Sequence, residues 1–210
     1  MAPQSRYGFA WNPGKNTPAR YGLFVLQAAI AVVLSYLGVV FSPVSFVGVG
    51  LFYWAEAFIM LFTLWWGIWG VAGTYIGTFI GAGVLTGIST PTALLFGLSD
   101  TVAVIISFMI YRAYASKHNI SPFGADILHK PRALGLFILW IVVITNVIGA
   151  FIGVTILQIA GLITASNYLP ALGIWIIGDA IMLLVFMPVT SKFVTPVLAK
   201  HGLVTEGWFS

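Results

Sequence analysis

Residues 44–88, VSFVGVGLFYWAEAFIMLFTLWWGIWGVAGTYIGTFIGAGVLTGI, decide how often the chain crosses a membrane. The stretch carries a single charged residue, Glu56. A crossing helix needs roughly 20 apolar residues to span a hydrocarbon layer of about 30 Å, so the stretch is about twice the length of one crossing. Its midpoint holds the cluster Trp65, Trp66 and Trp69, which is typical of a membrane interface. We therefore predict two helices, over 44–67 and 70–88, with a re-entrant segment as the alternative.

Four further apolar blocks flank this stretch and are each long enough for one crossing. They span 21–41, 92–112, 134–160 and 168–189. The sequence therefore predicts an all-α integral membrane protein, a compact bundle of six transmembrane helices in one membrane domain over 21–190. Residues 1–20 form a predicted cytoplasmic N-terminal tail, and residues 191–210 a second cytoplasmic tail that lies on the inner leaflet.

The positive charges provide an independent check on the number of crossings. The nine Lys and Arg residues fall into three groups, before the first block, after the fourth crossing and after the sixth: Arg6, Lys15 and Arg20; Arg112, Lys117, Lys130 and Arg132; Lys192 and Lys200. Six crossings place all of them on one face of the bilayer. The positive-inside rule then predicts a multi-pass protein of the cell membrane with both termini in the cytoplasm.

Composition excludes several classes of protein. The chain is 60% hydrophobic and 7% charged, whereas soluble domains carry about 25% charged residues. It has no cysteine, so disulfides and thiolate metal sites are excluded. The three histidines lie outside the predicted spans, and no hydrolase, metalloprotease or nucleotide-binding motif occurs. We predict no catalytic residues, no metal, no cofactor and no nucleic-acid partner; the protein is not expected to be an enzyme.

Small residues indicate how the helices pack, because lipid supplies no hydrophobic force between them and close backbone approach is needed instead. The third span carries Gly73, Gly77 and Gly81, the fifth carries Gly149 and Gly153, and the first carries Ala28, Ala31, Ser35 and Gly38. Packing within the bundle explains all three stripes. The alternative for the first helix is a docking face for another membrane subunit.

Three acids, Glu56, Asp100 and Asp179, lie well inside predicted spans. From the nearest outer helix ends they lie roughly 18, 14 and 16 Å deep, at about 1.5 Å per residue, and thus at nearly one level. An acid at mid-membrane costs roughly 2.5 to 3.5 kcal/mol, and no Lys, Arg or His lies at that depth to neutralise it. Either the acids are protonated structural groups, or they receive a cation from outside.

The second alternative predicts an outward-opening ligand pocket. Its acids would be accompanied by Tyr53, Trp54 and Trp175 as aromatic walls and by Asn146 as a polar neighbour. Acids together with aromatic rings suit an organic cation. Protonated acids would suit a neutral vitamin equally well.

From about residue 52 to 189 the chain resembles the membrane-associated sensor domains of bacterial signalling proteins. The resemblance rests on Tyr111-Arg112, on the turn at 121–124, and on the segment 175–180, WIIGDA, with Pro188. It implies a module that detects an external ligand and signals through a separate partner protein.

The chain also resembles the substrate-binding S-components of energy-coupling-factor vitamin transporters, in length, in six helices and in cytoplasmic termini. That resemblance implies a membrane-embedded small-solute binding subunit of an uptake system, with a transmembrane coupling subunit and ATPases as partners. It also implies that the small-residue stripe of the first helix docks the coupling subunit. Solute binding for uptake is the preferred prediction, and sensing is the alternative.

Overall fold

The computed structural model describes residues 17–205 and 207, and of Ser116 only the backbone. Arg6, Lys15 and most of the predicted N-terminal tail lie outside the described residues. Within the described part, five helices are long and apolar enough to cross a membrane, and one shorter apolar helix accompanies them. The chain is therefore a mostly helical, multi-pass membrane protein.

The helices and strands follow in this order: α1 Pro18–Val40; β1 Ser45–Phe46; β2 Val49–Gly50; α2 Ala55–Trp66; α3 Ile68–Ile76, which continues as a π-helix over Gly77–Gly83 and a 3₁₀ turn over Val84–Thr86; α4 Thr90–Lys117; α5 Pro131–Leu136, which continues through a π-helix over Phe137–Ile144 into α6 Thr145–Ile159; and, after a 3₁₀ turn over Ala165–Asn167, α7 Tyr168–Lys200.

The second crossing differs from the helix predicted over 44–67. β1 and β2 form a two-stranded antiparallel hairpin in which Phe46 pairs with Val49. Gly48 forms its turn with a φ of 75°, a conformation that glycine adopts without strain. The alternation of glycine with β-branched valine favours a turn and short strands over a helix. Only the twelve residues of α2 are helical, a length of about 18 Å. The segment nevertheless runs from one end of the bundle to the other, because Trp66 at the end of α2 donates to the carbonyl of Leu203 at 2.7 Å, so it does not turn back as a re-entrant segment would.

The second strand of the hairpin packs between α1 and α7, because glycines let its backbone approach both helices, whereas Ser45 and Val47 are exposed. A Cβ at Gly178 of α7 would lie 2.0 Å from the carbonyl oxygen of Leu51, and a Cβ at Gly50 would lie 2.4 Å from that of Gly38. At the base of the hairpin, the Leu51 amide donates to Ser42 Oγ at 2.7 Å. Non-helical backbone at membrane depth is tolerated where protein covers it or where it lines a cavity.

The small residues of α1 and α3 pack against each other in register. In order along both helices, Gly73 contacts Gln27, Gly77 contacts Ala31 and Gly81 contacts Ser35. The two helices therefore run parallel. Gly38, one turn further on, packs on Tyr53.

The predicted docking stripe on the first helix is consequently occupied within the bundle. Ala31 is 1% exposed and Ser35 is fully buried, while Ala28 is half-buried. These positions are not free to receive a second subunit, and packing within the bundle replaces the docking interpretation.

Both ends of the described chain meet at one end of the bundle, which we call the basic end. Arg20 donates to the carbonyl of Gly202 at 3.4 Å. Arg112 donates to the carbonyls of Thr205 at 2.9 Å and Gly207 at 3.0 Å. Arg20 and Arg112 therefore lie on the same side, as predicted. The opposite end carries the hairpin and is called the hairpin end.

The last helix is longer than the predicted span of 168–189. α7 continues without interruption to Lys200 and includes Pro188 and Pro196. Its last turns pack on the bundle, because Thr195 is buried and accepts a hydrogen bond from the indole of Trp65 at 2.9 Å. Residues 191–200 are therefore part of the helical bundle, and not a separate tail on the membrane surface.

Candidate functional site

A small cavity lies between the hairpin, the π-helical segment of α3, α4 and α7. Its lining consists of Gly48, Val49, Gly50, Tyr53, Thr78, Ala82, Phe96, Asp100, Trp175 and Asp179. The free space has room for about one water molecule. The hairpin contributes Gly48 and Gly50, which have no side chains, and Val49 between them.

The three predicted acids are brought together at this cavity. Glu56, Asp100 and Asp179 are 2%, 3% and 1% exposed. Asp100 and Asp179 line the cavity, and Glu56 lies within electrostatic reach of both. The acids therefore form one group deep in the bundle, contributed by α2, α4 and α7.

Asp100 is the acid with a defined hydrogen-bond partner. Thr78 Oγ1 donates to Asp100 Oδ2 at 2.7 Å. Thr78 lies in the π-helical segment of α3, and π-helical turns occur frequently at functional sites. Sequence reasoning missed Thr78, because the repeated glycines around it indicated packing only.

The other two acids lack such partners among the described residues. Both carboxyl oxygens of Asp179 and Oε2 of Glu56 are buried without a hydrogen bond, although Trp175 lies beside Asp179. The one ion pair in the described part of the chain joins Lys130 to Asp126 in the loop before α5. No basic side chain among the described residues neutralises the acid group.

The N-terminus of α2 adds a partial positive charge near the acid group. Glu56 is the acid of its first turn, and the N-terminus of a helix carries roughly half a positive charge. The half-length helix thus directs its positive end toward the acids. Helices that begin near the middle of the membrane form the ion and substrate sites of many transporters.

The aromatic residues are placed differently from one another. Tyr53 is buried and donates a hydrogen bond to Ser35 Oγ at 2.8 Å. Trp175 is buried and contacts Phe96 edge to face, with the ring centroids 5.8 Å apart. Trp54 is 46% exposed and lies beside Phe186. It does not line the cavity, because neighbouring residues ahead of a helix point in different directions, so its assignment as a wall is corrected.

The glycines of α6 allow α4 and α7 to approach the site. A Cβ at Gly149 would lie 3.4 Å from Asp100 Oδ1, and one at Gly153 would lie 2.4 Å from the ring of Trp175. Asn146, one turn closer to the basic end, is 1% exposed. Neither polar atom of its side chain has a partner among the described residues. Asn146 adjoins the site without lining the cavity.

The acid group does not form a multidentate metal site. Among the described residues, no group of three or more His, Cys, Asp or Glu is placed to hold a metal ion. The arrangement instead provides buried carboxyl groups, a hydroxyl donor and aromatic side chains around a very small space. Such a set can bind protons or one small cation.

Comparisons with protein-family models, with curated proteins and with solved structures give no match. The resemblances to sensor domains and to S-components stay predictions.

Proposed function

We propose that the protein is a membrane-embedded binding protein for a small cationic solute and that it serves as the binding subunit of an uptake system. In this proposal the hairpin end faces the outside and the basic end lies in the cytoplasm. The observation that carries it is the group of three buried acids without a basic partner among the described residues, held at a cavity beneath a non-helical hairpin.

Electrostatics supports a cationic solute. Buried carboxylates are strongly disfavoured unless a proton or a cation neutralises them, and no basic side chain of the described residues reaches this group. The aromatic residues Tyr53, Phe96 and Trp175 line the same space. Aromatic faces attract ammonium groups, so an amine or ammonium ion fits the site better than an anion or a neutral solute.

The hairpin end supports a route of entry. An open surface groove at that end is lined by residues of α1, of the hairpin and of the neighbouring loops, including Tyr36, Ser45, Leu85 and Leu162. Gly48 lines both this groove and the cavity. The hairpin turn is thus the partition between them, and a solute larger than one water molecule requires this turn to move.

One observation favours sensing as a second candidate function. α7 carries Asp179 at the cavity and continues as a single helix to Lys200 at the basic end. A displacement of α7 on ligand binding would therefore reach the cytoplasmic side directly. Purification of the protein with its partners distinguishes the two functions: a coupling subunit with ATPases supports uptake, and a kinase or cyclase supports sensing.

Cation binding is tested with the purified full chain by melting temperature and titration calorimetry. Sodium, ammonium, methylammonium and choline are the probes, and the variants are E56Q/D100N/D179N and D126N. We expect at least one probe to stabilise the wild type and D126N, and to have no effect on the triple amide variant. The amides preserve side-chain shape, so the loss reports charge. No stabilisation of the wild type by any probe, or equal stabilisation of the triple variant, would overturn the proposal.

A further inference from the structure

A row of polar residues continues from the acid group toward the basic end on one face of α4. Asp100, Ser107 and Tyr111 are spaced by seven and four residues, which places them on the same side of a helix. The steps correspond to about 10 Å and about 6 Å along the axis. Ser107 is fully buried, and its hydroxyl has no hydrogen-bond partner among the described residues.

Asn146 of α6 lies opposite the gap in this row. α4 and α6 are antiparallel neighbours whose register is fixed by two contacts, Gly149 with Asp100 and Gly153 with Phe96. One turn from Gly149 toward the basic end, Asn146 therefore lies at a level between Asp100 and Ser107. It is on the face of α6 that meets α4, since Gly149 and Gly153 follow it by three and seven residues.

The hydrogen-bonding groups of Asn146 and Ser107 favour water over a metal cation as their partner. Asn146 has an unpaired donor, Nδ2, and an unpaired acceptor, Oδ1; Ser107 can donate or accept. A metal cation cannot accept a hydrogen bond from Nδ2, whereas water both donates and accepts. Each buried polar group left unpaired costs about 1 to 3 kcal/mol, and buried waters typically make about three hydrogen bonds to such groups.

We propose that Asn146 and Ser107 hold ordered water between α4 and α6, and that this water relays protons between the acid group and the basic end. Toward the basic end the row continues with the buried hydroxyl of Tyr111, which donates to the carbonyl of Ser121 at 3.5 Å. Tyr111 is the last group of the relay: its hydroxyl accepts a proton from the row and releases its own to water at the basic end, because the Ser121 carbonyl, in the peptide bond to Pro122, accepts a hydrogen bond but cannot pass a proton on.

Cation binding at the acids releases protons from their carboxyl groups, and the relay gives these protons a path. In that respect the inference rests on the proposed function. When a cation reaches the acids from the hairpin end, a carboxyl group transfers its proton to the neighbouring water. A proton leaves the row at the basic end, and the cation compensates the remaining carboxylate. No bond other than O–H is broken or formed, and no redox partner is required.

Infrared spectroscopy of the buried carboxyl groups tests the relay. The carbonyl band of a protonated carboxyl shifts when its proton exchanges for deuterium, so transfer of the purified protein into D₂O measures how fast protons reach the acids. We expect S107A/N146L to slow this exchange at least about tenfold, which corresponds to about 1.4 kcal/mol in the barrier. The control T155V, on α6 toward the hairpin end, should exchange at the wild-type rate. Exchange of S107A/N146L at the wild-type rate would overturn the inference.

A second pair of variants separates the relay from folding. S107T and N146Q keep the hydroxyl and the amide, so both should retain fast exchange, and melting temperatures identify any variant that fails to fold. If S107T and N146Q exchange as slowly as S107A/N146L, packing rather than water governs the rate and the relay is wrong. Failure of the proposed function looks different: the wild type then binds no cation, whatever its exchange rate.

Discussion

Among individual residues, Asp100 and Thr78 form the best-defined polar contact of the cavity. The threonine hydroxyl donates to a carboxyl oxygen of Asp100, and such a bond strengthens when the carboxyl is ionised. Asp179, on the other side of the same space, has no such donor among the described residues. Asp100 is therefore the member of the group best prepared to carry the negative charge that meets a cation.

T78V is expected to weaken cation binding about tenfold or more, because a hydrogen bond to a charged group contributes about 1.5 to 3 kcal/mol. Titration calorimetry with the best of the probe cations measures the effect. T101V is the matched control, since Thr101 is next to Asp100 but its hydroxyl donates to the carbonyl of Gly97. Equal affinities of the two variants would contradict a role for Thr78.

Asp126 is the described acid outside the spans, and it lies in a partly buried, hydrogen-bonded environment. Partial burial alone would raise its pKa, but hydrogen bonds from Lys130 Nζ at 2.8 Å and from the Ser121 amide at 2.7 Å outweigh this effect and hold the pKa below its usual range. A carboxyl with a lowered pKa in the folded state stabilises the fold above its unfolded pKa of about 3.9. That contribution disappears as the pH falls through the lowered value.

D126N is therefore expected to be less stable than the wild type at neutral pH, by about 1 kcal/mol or less for a surface ion pair. The difference should shrink as the pH falls below about 4. Melting temperatures across this pH range give the measurement, and K117Q serves as a control for the loss of a surface charge. A difference that stays constant with pH would contradict the assignment.

At the residue scale, the acids of the site could be predicted from the sequence, because their charge and their depth in the spans are both visible there. Glu56, Asp100 and Asp179 were recognisable because charged residues inside apolar spans are rare and need a partner. The position of Trp54 was not recognisable, because the direction of a side chain ahead of a helix depends on a local backbone that hydropathy does not encode. Thr78 lies among glycines that indicated helix packing, so the sequence did not single it out. Its hydrogen bond to Asp100 depends on how α3 and its π-helical continuation pack on α4.

At the scale of helices and strands, the hairpin depends on close approach between backbones. The carbonyl oxygen of Leu51, at its base, meets α7 at Gly178, and its own Gly50 meets α1. Neither contact leaves room for a Cβ atom. The close backbone approach at Gly50 and Gly178 therefore contributes more to the position of the hairpin than its hydrogen bonds do. Only two residue pairs form its ladder.

G178A is expected to destabilise the protein by about 1 to 3 kcal/mol, the usual cost of forcing atoms into a packed site, and to weaken cation binding by displacing the hairpin. G173A is the matched control, since Gly173 lies on the same helix and a Cβ added there would have no atom within 4 Å. Alanine at Gly173 should leave stability unchanged or raise it by up to about 1 kcal/mol, because alanine favours helix. Melting temperatures and calorimetry compare the two, and equal stabilities would contradict the packing described for the hairpin.

Helix number and boundaries could be predicted well where one apolar block corresponds to one crossing. α1, α4 and the combined α5 and α6 lie close to the predicted ranges, and the break in residues 44–88 falls at Gly67 as the tryptophan cluster indicated. Residues 44–54 were predicted incorrectly as helix, because the residues of this hairpin are as apolar as those of a crossing helix. The continuation of α7 was missed, since polar residues after 189 suggested a surface segment and the contact of Thr195 with Trp65 is not visible in sequence.

For the whole molecule, the arrangement of the ends supports the proposed orientation. Arg20, Arg112 and residues 202–205 and 207 meet at the basic end, while the hairpin and the turn before α7 lie at the other. The proposal that the basic end lies in the cytoplasm rests on the positive-inside rule.

Single cysteines test this orientation, because the chain has none of its own. S166C lies in the exposed turn before α7, and K117C lies at the exposed end of α4. A membrane-impermeant maleimide applied to intact cells should label S166C and leave K117C unlabelled, and both should be labelled after lysis. The reverse pattern would invert the proposed topology, and labelling of both in intact cells would contradict a single orientation.

The glycines of the hairpin turn also bear on how the protein discriminates between solutes. Gly48 lines both the surface groove and the cavity and brings only its peptide groups to the boundary between them. Under the proposed function, a cation would pass Gly48 before it reaches any carboxyl group, and peptide groups are what strip hydration water from ions in channel filters. Size selection at such a boundary follows from backbone geometry, so homologues with different preferences are expected to differ in the length or curvature of the hairpin more than in the acids beneath it.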